Sequence, residues 1–300
     1  VRGSTLAPAA EMRVRGVVAA LMLLCAPLTF ARRAAVRHPA PSPIQHVVLV
    51  ILENTNYDAA MAQPFLKALA SQGALLTNYF ALTAPSQPNY IALMSGSQHG
   101  VIDDATLTLD VRHLGDLMEV RGLDWRVYAE AYPGNCFTGS NANNGSYVRR
   151  HVPFLEFKNV IANRQRCNAH VFEASQLDAD VASGQLPSFA LYIPDQKNNS
   201  HDTSIAFADL YMQNRFGPLL RDERFTEGTL FIVTFDESSG LSRHVATILW
   251  GAGVTPNGRS SRVYDHYDLL RTIEEIFHAG TLNQEDERTG EPIRDVLTFP

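Results

Sequence analysis

The sequence is poor in cysteine, with three in 300 residues, and it contains no Cys-x-x-Cys pair and no Cys/His spacing typical of zinc sites. This absence excludes a zinc site built on such a motif. The Gly-x-Ser-x-Gly motif is also missing, which disfavours a serine esterase of the α/β-hydrolase type. No internal repeat is present.

The chain also lacks an apolar run long enough to span a bilayer comfortably. The one candidate, residues 17–30, is short and is interrupted by Pro27. It follows Arg13 and Arg15 and precedes the small residue Ala31, a pattern typical of a secretory signal peptide. We therefore expect a secreted or periplasmic protein with no stable membrane span once it is mature, and an N-terminal anchor is the alternative. The predicted organisation is upstream residues plus a signal peptide at 1–31, a Pro/Arg-rich spacer at 32–43 and a single domain at 44–300.

Positive charge is scarce in that domain. The whole chain has a formal net charge of −6, but residues 1–43 hold six Arg and one Glu, so the rest carries −11. An acidic surface argues against nucleic acid as a partner, because binding of its phosphates needs clustered Lys and Arg. The domain is long enough to bury a large core.

Two cysteines, Cys136 and Cys167, remain in the predicted domain. In an exported protein an even pair indicates one disulfide, with two free thiols as the alternative. Residues 134–147 are rich in Asn and Gly and are predicted to be a loop. With the disulfide closing one side, this loop forms an insert that is expected beside the functional site.

Apolar strand-like segments alternate with amphipathic helical segments along the domain. The strand-like segments are apolar on both faces, as strands covered by helices on both sides must be. This alternation predicts an α/β fold, a three-layer sandwich with a mostly parallel central sheet. The predicted strands are 46–52, 75–81, 125–128, 189–193, 230–235 and 245–250, and the predicted helices are 65–70, 90–94, 111–121, 174–182, 203–216 and 267–277.

Polar residues follow three of these strands at the point where each ends. Glu53 and Asn54 follow the first, Asp195 follows the strand at 189–193, and Asp236 and Glu237 follow the strand at 230–235. The carboxyl ends of parallel strands meet at one edge of a sheet. Buried carboxylates without a nearby Lys or Arg are costly unless they bind a cation. The pattern therefore predicts a divalent metal site with Mg, Ca, Mn or Zn as candidates, hard oxygen ligands favouring the first three.

Ser86 lies at the predicted start of a helix, between Pro85 and Pro88. Proline is tolerated in the first turn of a helix, and a serine there often only caps the helix. The same position also favours an anion such as phosphate near the hydroxyl. The residues alone leave both interpretations open, a capping serine and a nucleophile.

Six segments in order resemble the phosphoesterase family of acid phosphatases and bacterial phospholipases C, within the alkaline phosphatase superfamily. They are HVVLVILENTNYD, TAPSQPNYIALMSGS, YIPDQKNNSHD, VTFDES, RHVATILWG and YDHYDLLRTIEEIF. The resemblance covers roughly residues 44–280. It implies an alkaline phosphatase-like fold and is nearer to the short acid phosphatase-like members than to the longer phospholipases C.

The resemblance also implies roles for individual residues. Ser86 corresponds to the nucleophile that touches the metal and attacks phosphorus. His201 and His244 correspond to histidines near the phosphoryl oxygens or at a second metal position, and either would protonate the leaving group. The implied metal ligands are Glu53, Asn54, Ser86, Asp236 and Glu237, and Asp195, Asp202, His266 and Asn56 are candidates for a second metal or for substrate.

The function predicted from sequence is a secreted, metal-dependent acid phosphatase that hydrolyses small phosphomonoesters through a phosphoserine. Two alternatives remain open, a phospholipase C-like phosphodiesterase and a non-catalytic exported binding protein on the same fold.

Overall fold

The computed structural model describes residues 44–299, which all belong to one compact unit of the chain. The predicted signal peptide and spacer lie outside the described residues. The strands are β1 (His46–Leu52), β2 (Ala74–Phe80), β3 (Trp125–Ala129), β4 (Asn141–Ala142), β5 (Tyr147–Val148), β6 (Val171–Glu173), β7 (Phe189–Ile193), β8 (Thr229–Phe235), β9 (His244–Gly251), β10 (Gly258–Ser260) and β11 (Tyr264–Asp265).

Helices connect these strands. The α-helices are α1 (Tyr57–Met61), α2 (Pro64–Gln72), α3 (Ser86–Ser95), α4 (Leu114–Val120), α5 (Lys158–Ile161), α6 (Arg164–His170), α7 (Gln176–Ser183), α8 (Ile205–Phe216), α9 (Glu223–Thr226), α10 (His266–Ile276) and α11 (Glu285–Arg288). Short 3-10 turns cover Asn143–Gly145, Arg149–His151, Pro153–Glu156 and Leu219–Arg221.

Nine of the strands form one sheet. Its order is β10-β2-β9-β8-β1-β7-β3-β6, and β11 also pairs with β2. β1 runs parallel to both β7 and β8, and β3 runs parallel to both β6 and β7. β9 is antiparallel to its neighbours β2 and β8. The prediction of an α/β fold with a mostly parallel central sheet is confirmed.

The strands at the centre of the sheet are buried on both faces. All seven residues of β8 are buried, and so is β1 after His46. Unbroken apolar segments of this kind have no polar face to turn to solvent, so helices must cover both sides. α2 packs on α8 and β9, whereas α3 packs on α10.

The six predicted strands and six predicted helices each correspond to an observed element, with ends that differ by a few residues. The largest extension is at α3, predicted at 90–94 and observed from Ser86 to Ser95. Its first turn contains Pro88, and its last turn ends at Gly96, whose φ of 73° lies in the left-handed region that favours glycine.

The short strands were not predicted from the sequence. β6, β10 and β11 have two or three residues each, too few for a periodic pattern to appear. The segment predicted as a loop at 134–147 contains a small hairpin, since β4 pairs with β5.

The predicted disulfide is present. Cys136 and Cys167 are bonded, and their Cα atoms lie 5.6 Å apart. The bond ties the hairpin segment to α6. The turn Arg149–His151, which follows the hairpin, packs against α3. The insert therefore lies beside the helix that begins at Ser86.

No helix among residues 44–299 has both the length and the apolar character that a membrane crossing needs.

Candidate active site

The two parallel central strands bring the predicted acidic residues together. β1 and β8 are paired in register up to Leu52 and Phe235, so Glu53 and Asp236 lie side by side at the carboxyl edge. The backbone N–H of Asn54 donates to Asp236 Oδ1 at 3.2 Å. Asn54 adopts a left-handed φ of 46°, which asparagine tolerates better than most residues. These contacts fix one acidic cluster at the edge of the sheet.

Ser86 is the first residue of α3 and is buried. Its hydroxyl donates to Glu53 Oε2 at 3.1 Å and lies 3.5 Å from Glu237 Oε1. It makes no capping bond to the helix backbone. Instead, Asp104 Oδ1 accepts the N–H of Gln87, at the position where a capping side chain would act. The structure therefore joins Ser86 to the carboxylates and gives the capping role to Asp104.

The carboxyl groups in this cluster hold protons more tightly than usual. Burial raises the pKa of Glu53 well above its ordinary value, and the charge of Asp236 adds to the effect. Burial likewise raises the pKa of Asp236 to about 6. The pKa of Glu237 is raised to about 7, first by burial and then by the charges of Asp236 and Asp104. Perturbed acids gathered in one place are typical of functional sites.

The cluster has the oxygen chemistry that a hard divalent metal prefers. Asp236 Oδ2 and Glu237 Oε2 are buried and have no hydrogen-bond partner among the described residues. In the same part of the chain, no Lys or Arg forms an ion pair with Glu53, Asp236 or Glu237. Buried oxygens of this kind need a cation or a proton. Among residues 44–299 no three His, Cys, Asp or Glu side chains form a complete metal-binding group by themselves. The candidate ligand set therefore depends on the oxygens of Asn54 and Ser86 as well.

Two residues that sequence reasoning missed complete the surroundings of Glu53. Tyr90, one turn into α3, donates its hydroxyl to Glu53 Oε1 at 2.5 Å. His151 is fully buried, stacks on Tyr90 with ring centroids 5.2 Å apart, and places Nε2 3.3 Å from Glu53 Oε1. Tyr90 could have been found from its i+4 spacing to Ser86. Nothing in the local sequence around His151 points to the site.

His201 lies on the loop that follows β7 and faces the insert. Its ring centroid is 6.0 Å from that of His151, and its Nδ1 lies 2.8 Å from Asp202 Oδ1. Asn199 supports this loop twice, because its side chain accepts the N–H of His201 and its carbonyl accepts the N–H of Glu53. His201 is therefore connected to the cluster through the backbone.

Asp195 has a different place from the one expected of a metal ligand. Its Oδ1 accepts the N–H groups of Lys197 and Asn198, which forms a tight turn. Its own N–H donates to Glu130, a residue at the end of β3 that also binds Asn198. The contacts of Asp195 shape the loop that carries His201.

His244 begins β9 and is packed between aromatic rings. Tyr57 stacks on it at 4.3 Å between ring centroids and Phe80 at 5.1 Å, and its Nε2 contacts the carbonyl of Thr77. Asn56 lies one residue before Tyr57, and its buried Oδ1 has no partner among the described residues. The structure thus gives His244 contacts with β2 and α1 and none with Ser86.

His266 supports the cluster from behind. Its Nε2 contacts the carbonyl of Asp236 at 2.8 Å, and its Nδ1 contacts the hydroxyl of Tyr79 at 3.0 Å. Burial lowers its pKa. With both ring nitrogens engaged, His266 holds the backbone of a candidate ligand in place and has no nitrogen free for a second metal.

Comparison with known proteins identifies the family. The model of the phosphoesterase family matches residues 59–280, a span that contains Ser86, Asp236 and Glu237. The chain belongs to the phosphoesterase family. The predicted membership of this family is thereby confirmed, and the match contains five of the six segments, while the first, residues 46–58, lies just before it.

Several proteins that are similar to this chain are named as phosphatases. A probable acid phosphatase of Kluyveromyces lactis is 36% identical over 251 residues, which cover 79% of this chain and 59% of that protein. An acid phosphatase of Aspergillus fumigatus is 32% identical, with 75% of this chain and 53% of that protein covered. A phosphatidylinositol-3-phosphatase of Mycobacterium tuberculosis is 33% identical, with 77% and 76% covered. The chain spans between half and two thirds of the length of the two fungal relatives.

Solved structures share the fold at low sequence identity. A protein in the alkaline phosphatase superfamily from Vibrio parahaemolyticus has a TM-score of 0.57 and 12% identity, with 85% of this chain and 72% of that chain covered. A phosphonate monoester hydrolase from Silicibacter pomeroyi has the same TM-score at 11% identity, with 83% and 76% covered. The predicted alkaline phosphatase-like fold is confirmed.

Proposed function

We propose that this chain is a secreted, metal-dependent phosphatase that hydrolyses phosphomonoesters through a phosphoserine on Ser86. The observation that carries the proposal is the contact of the Ser86 hydroxyl with two buried carboxylates, Glu53 at 3.1 Å and Glu237 at 3.5 Å. Membership of the phosphoesterase family and its acid phosphatase relatives support the reaction class. The disulfide and the signal-like segment at 12–31 support export.

A divalent ion is part of the proposal. Mg, Ca or Mn suits oxygen ligands best, and Zn becomes a candidate if a histidine joins them. When bound, the ion would lower the pKa of the serine hydroxyl and withdraw charge from the phosphoryl group. The residues that would hold it are Glu53, Asn54, Ser86, Asp236 and Glu237.

Each of three residues has a separate role in the proposed reaction: nucleophile, proton acceptor and proton donor. Glu53 Oε2 accepts the hydroxyl hydrogen of Ser86 as Oγ attacks phosphorus, forming the Oγ–P bond while the ester P–O bond breaks. A histidine gives its proton to the leaving oxygen. His201 suits this role better than His244, because it lies beside Asp202 and faces His151, whereas His244 is packed between rings. Water then attacks phosphorus of the phosphoserine, the Oγ–P bond breaks and phosphate leaves, while the histidine takes the proton of the water and Glu53 returns its proton to Oγ.

Hydrolysis of phosphodiesters is the second candidate function. The same serine could attack a diester, and the family that the chain resembles includes bacterial phospholipases C. A non-catalytic binding protein is the third candidate, but it would not need a serine held against carboxylates.

One assay separates the three candidates. p-Nitrophenyl phosphate, bis-p-nitrophenyl phosphate and p-nitrophenylphosphorylcholine are compared with and without chelator. We expect chelator-sensitive release from the monoester and much slower release from both diesters. Faster release from a diester would favour the phosphodiesterase, and no release from any substrate would favour the binding protein.

A further inference from the structure

The segment directly before Ser86 lies outside regular structure. Residues 81–85 connect β2 to α3 and belong to neither. The N–H groups of Leu82 and Thr83 have no backbone carbonyl as a partner among residues 44–299. A connection without such bonds samples many backbone conformations, and each of them would displace the hydroxyl of Ser86. The segment therefore needs support from a side chain.

The side chain of Asn89, in the first turn of α3, gives this support. Asn89 is 1% exposed. Its Oδ1 accepts the N–H of Leu82 at 3.0 Å and the N–H of Thr83 at 3.2 Å. Its Nδ2 donates to the carbonyl of Thr83 at 2.9 Å and to the carbonyl of Pro85 at 3.2 Å. A carboxamide has two acceptor positions and two N–H donors, so these four bonds use all of them.

The bonds of Asn89 reach the residue next to the serine. Pro85 directly precedes Ser86, so the bond from Nδ2 to the Pro85 carbonyl ties the start of α3 to its first turn. Tyr90, the residue after Asn89, donates its hydroxyl to Glu53. Two adjacent residues of α3 thus fix both partners of one contact, because Asn89 holds the backbone that carries Ser86 and Tyr90 holds the carboxylate of Glu53.

The four bonds of Asn89 are confined to this one segment. All of them go to residues 82–85, and none goes to the sheet or to another helix. β1 and β8, which Glu53 and Asp236 follow, are held by their own pairing. Loss of the Asn89 bonds would therefore loosen the segment before Ser86 and leave the acidic cluster in place.

We infer that Asn89 is a positioning residue for Ser86 and that it contributes to the chemical step rather than to substrate binding. This inference rests on the proposed function, because Asn89 acts through the proposed nucleophile. Attack on phosphorus needs Oγ in line with the bond that breaks, and a displacement of about 1 Å can lower the rate about 100-fold. The electrostatic attraction that binds a phosphoryl group depends much less on the direction of one hydroxyl.

The test uses two variants of Asn89 and a matched control. Asn89→Asp keeps the shape and the acceptor positions but removes both N–H donors, so the carbonyls of Thr83 and Pro85 lose their partner. Asn89→Ser removes all four bonds and leaves space for water. Asn159→Asp is the control, because Asn159 lies in α5 and donates both of its bonds to Asp116 in α4, so the same substitution removes two donors there.

Three properties are measured at a saturating concentration of divalent ion. The first is kcat and KM for p-nitrophenyl phosphate. The second is the Kd and stoichiometry of inorganic phosphate by calorimetry, together with the Kd of orthovanadate. Vanadate bonds to Oγ in the five-coordinate geometry of the transition state, so its affinity reports the position of the nucleophile without turnover. The third is Tm, which shows whether each variant is folded.

In both Asn89 variants kcat and kcat/KM should fall together by about 10- to 100-fold, because a misplaced nucleophile affects only the transition state. The Kd of orthovanadate should rise about tenfold or more, while the Kd and stoichiometry of phosphate stay within about twofold of wild type. Asn159→Asp should lower Tm and keep the wild-type kcat and the wild-type affinity for vanadate.

Wild-type kcat and vanadate affinity in the Asn89 variants would overturn the inference. A fall in kcat matched by an equal fall in the stoichiometry of phosphate would also overturn it, because it would show only a loss of folded protein. Failure of both variants to fold would do the same, since Asn89 would then serve the whole fold.

The proposed function can fail separately from this inference. Wild type that binds orthovanadate without hydrolysing the monoester would contradict the proposed function alone, and the vanadate affinities of the variants would still decide the role of Asn89. Wild type that binds neither anion would contradict both.

Discussion

Ser86 Oγ and Glu53 Oε2 lie 3.1 Å apart, although 33 positions separate the two residues in the chain. Glu53 directly follows the central strand β1 and Ser86 begins α3, so the contact joins the sheet to one of its covering helices. Tyr90, in the next turn of α3, binds the other oxygen of the same carboxylate. Ser86 and Tyr90 thus bind the two oxygens of Glu53 from one helix, which fixes the serine relative to the acidic cluster.

Replacement of the serine tests its role directly. Ser86→Ala should abolish turnover, because no other hydroxyl occupies that position, while Tm stays within a few degrees of wild type. Release of p-nitrophenol and a thermal melt measure the two effects. Ser95→Ala is the matched control, since Ser95 is a buried serine at the other end of α3. Activity of Ser86→Ala close to that of wild type would show that Ser86 is not the nucleophile.

Metal binding should stabilise the protein in a pH-dependent way. The pKa values of Asp236 and Glu237 are raised to about 6 and about 7, so the metal-free folded state binds more protons than the unfolded state between about pH 4 and 7. Stability contributed by these groups is therefore present at pH 4 and lost as the pH rises through 7. A bound divalent ion would take the place of the protons on Asp236 and Glu237 and would restore this stability at higher pH.

The measurement is Tm with and without Mg²⁺ or Ca²⁺ at pH 5 and pH 7.5. A hundredfold excess of ion over its Kd contributes about 2.7 kcal/mol, which corresponds to a rise in Tm of about 5–10 °C. We expect the full rise at pH 7.5 and a smaller one at pH 5. Equal shifts at both values would count against these carboxylates as ligands, as would no shift at all.

His201 should matter most for poor leaving groups. A phenolate such as p-nitrophenolate leaves without a proton, whereas an alkoxide needs one. His201→Gln should therefore lower kcat for an alkyl phosphate at least about tenfold more than kcat for p-nitrophenyl phosphate. His244→Gln serves as the comparison and should affect both substrates alike. The reverse ranking would assign the acid to His244.

A second buried acid, Glu274, lies in α10 away from the candidate site. It is fully buried, its two oxygens have no hydrogen-bond partner among residues 44–299, and burial together with Asp286 raises its pKa to about 9. A raised folded-state pKa means that stability is lost as the pH rises from about 4.5 through about 9. Glu274→Gln removes the titrating group.

We expect Glu274→Gln to gain about 1–3 kcal/mol over wild type at pH 8. The gain should shrink toward zero at pH 4, where the wild-type acid is protonated in both states. Urea unfolding at the two values measures it. A constant difference between pH 4 and pH 8 would show that Glu274 does not titrate in this range.

The disulfide should stabilise the insert and the turn Arg149–His151 that follows it. Cys136 and Cys167 are 31 positions apart, and closing a loop of this size contributes about 3–4 kcal/mol in the chain-entropy description. The double variant Cys136→Ser, Cys167→Ser should therefore unfold at a lower urea concentration than wild type. A pair of conservative serines elsewhere, Ser71→Ala and Ser183→Ala, should leave the urea midpoint nearly unchanged.

The regular elements and half of the candidate site could be predicted from sequence. β1 and β8 are unbroken apolar segments, and the residues after them, Glu53 and Asp236, needed only the rule that parallel strands end at one edge. The role of His266 could not be predicted, because its sequence context fits a helix start, a ligand or a residue at the rim of the site equally well. Its two hydrogen bonds, to Asp236 and Tyr79, depend on how α10 packs.

Local periodicity and neighbouring residues are enough to predict the α/β fold, the acidic residues after the central strands and the serine at a helix start. The positions of Asp104 and His151 depend on tertiary packing, which brings Asp104 to the N–H of Gln87 and His151 to Glu53. Both lie on irregular segments without periodicity, and the turn Arg149–His151 reaches the site by packing against α3. The acidic cluster could thus be predicted from the sequence, whereas its neighbours Asp104 and His151 could not, because long-range packing brings them there.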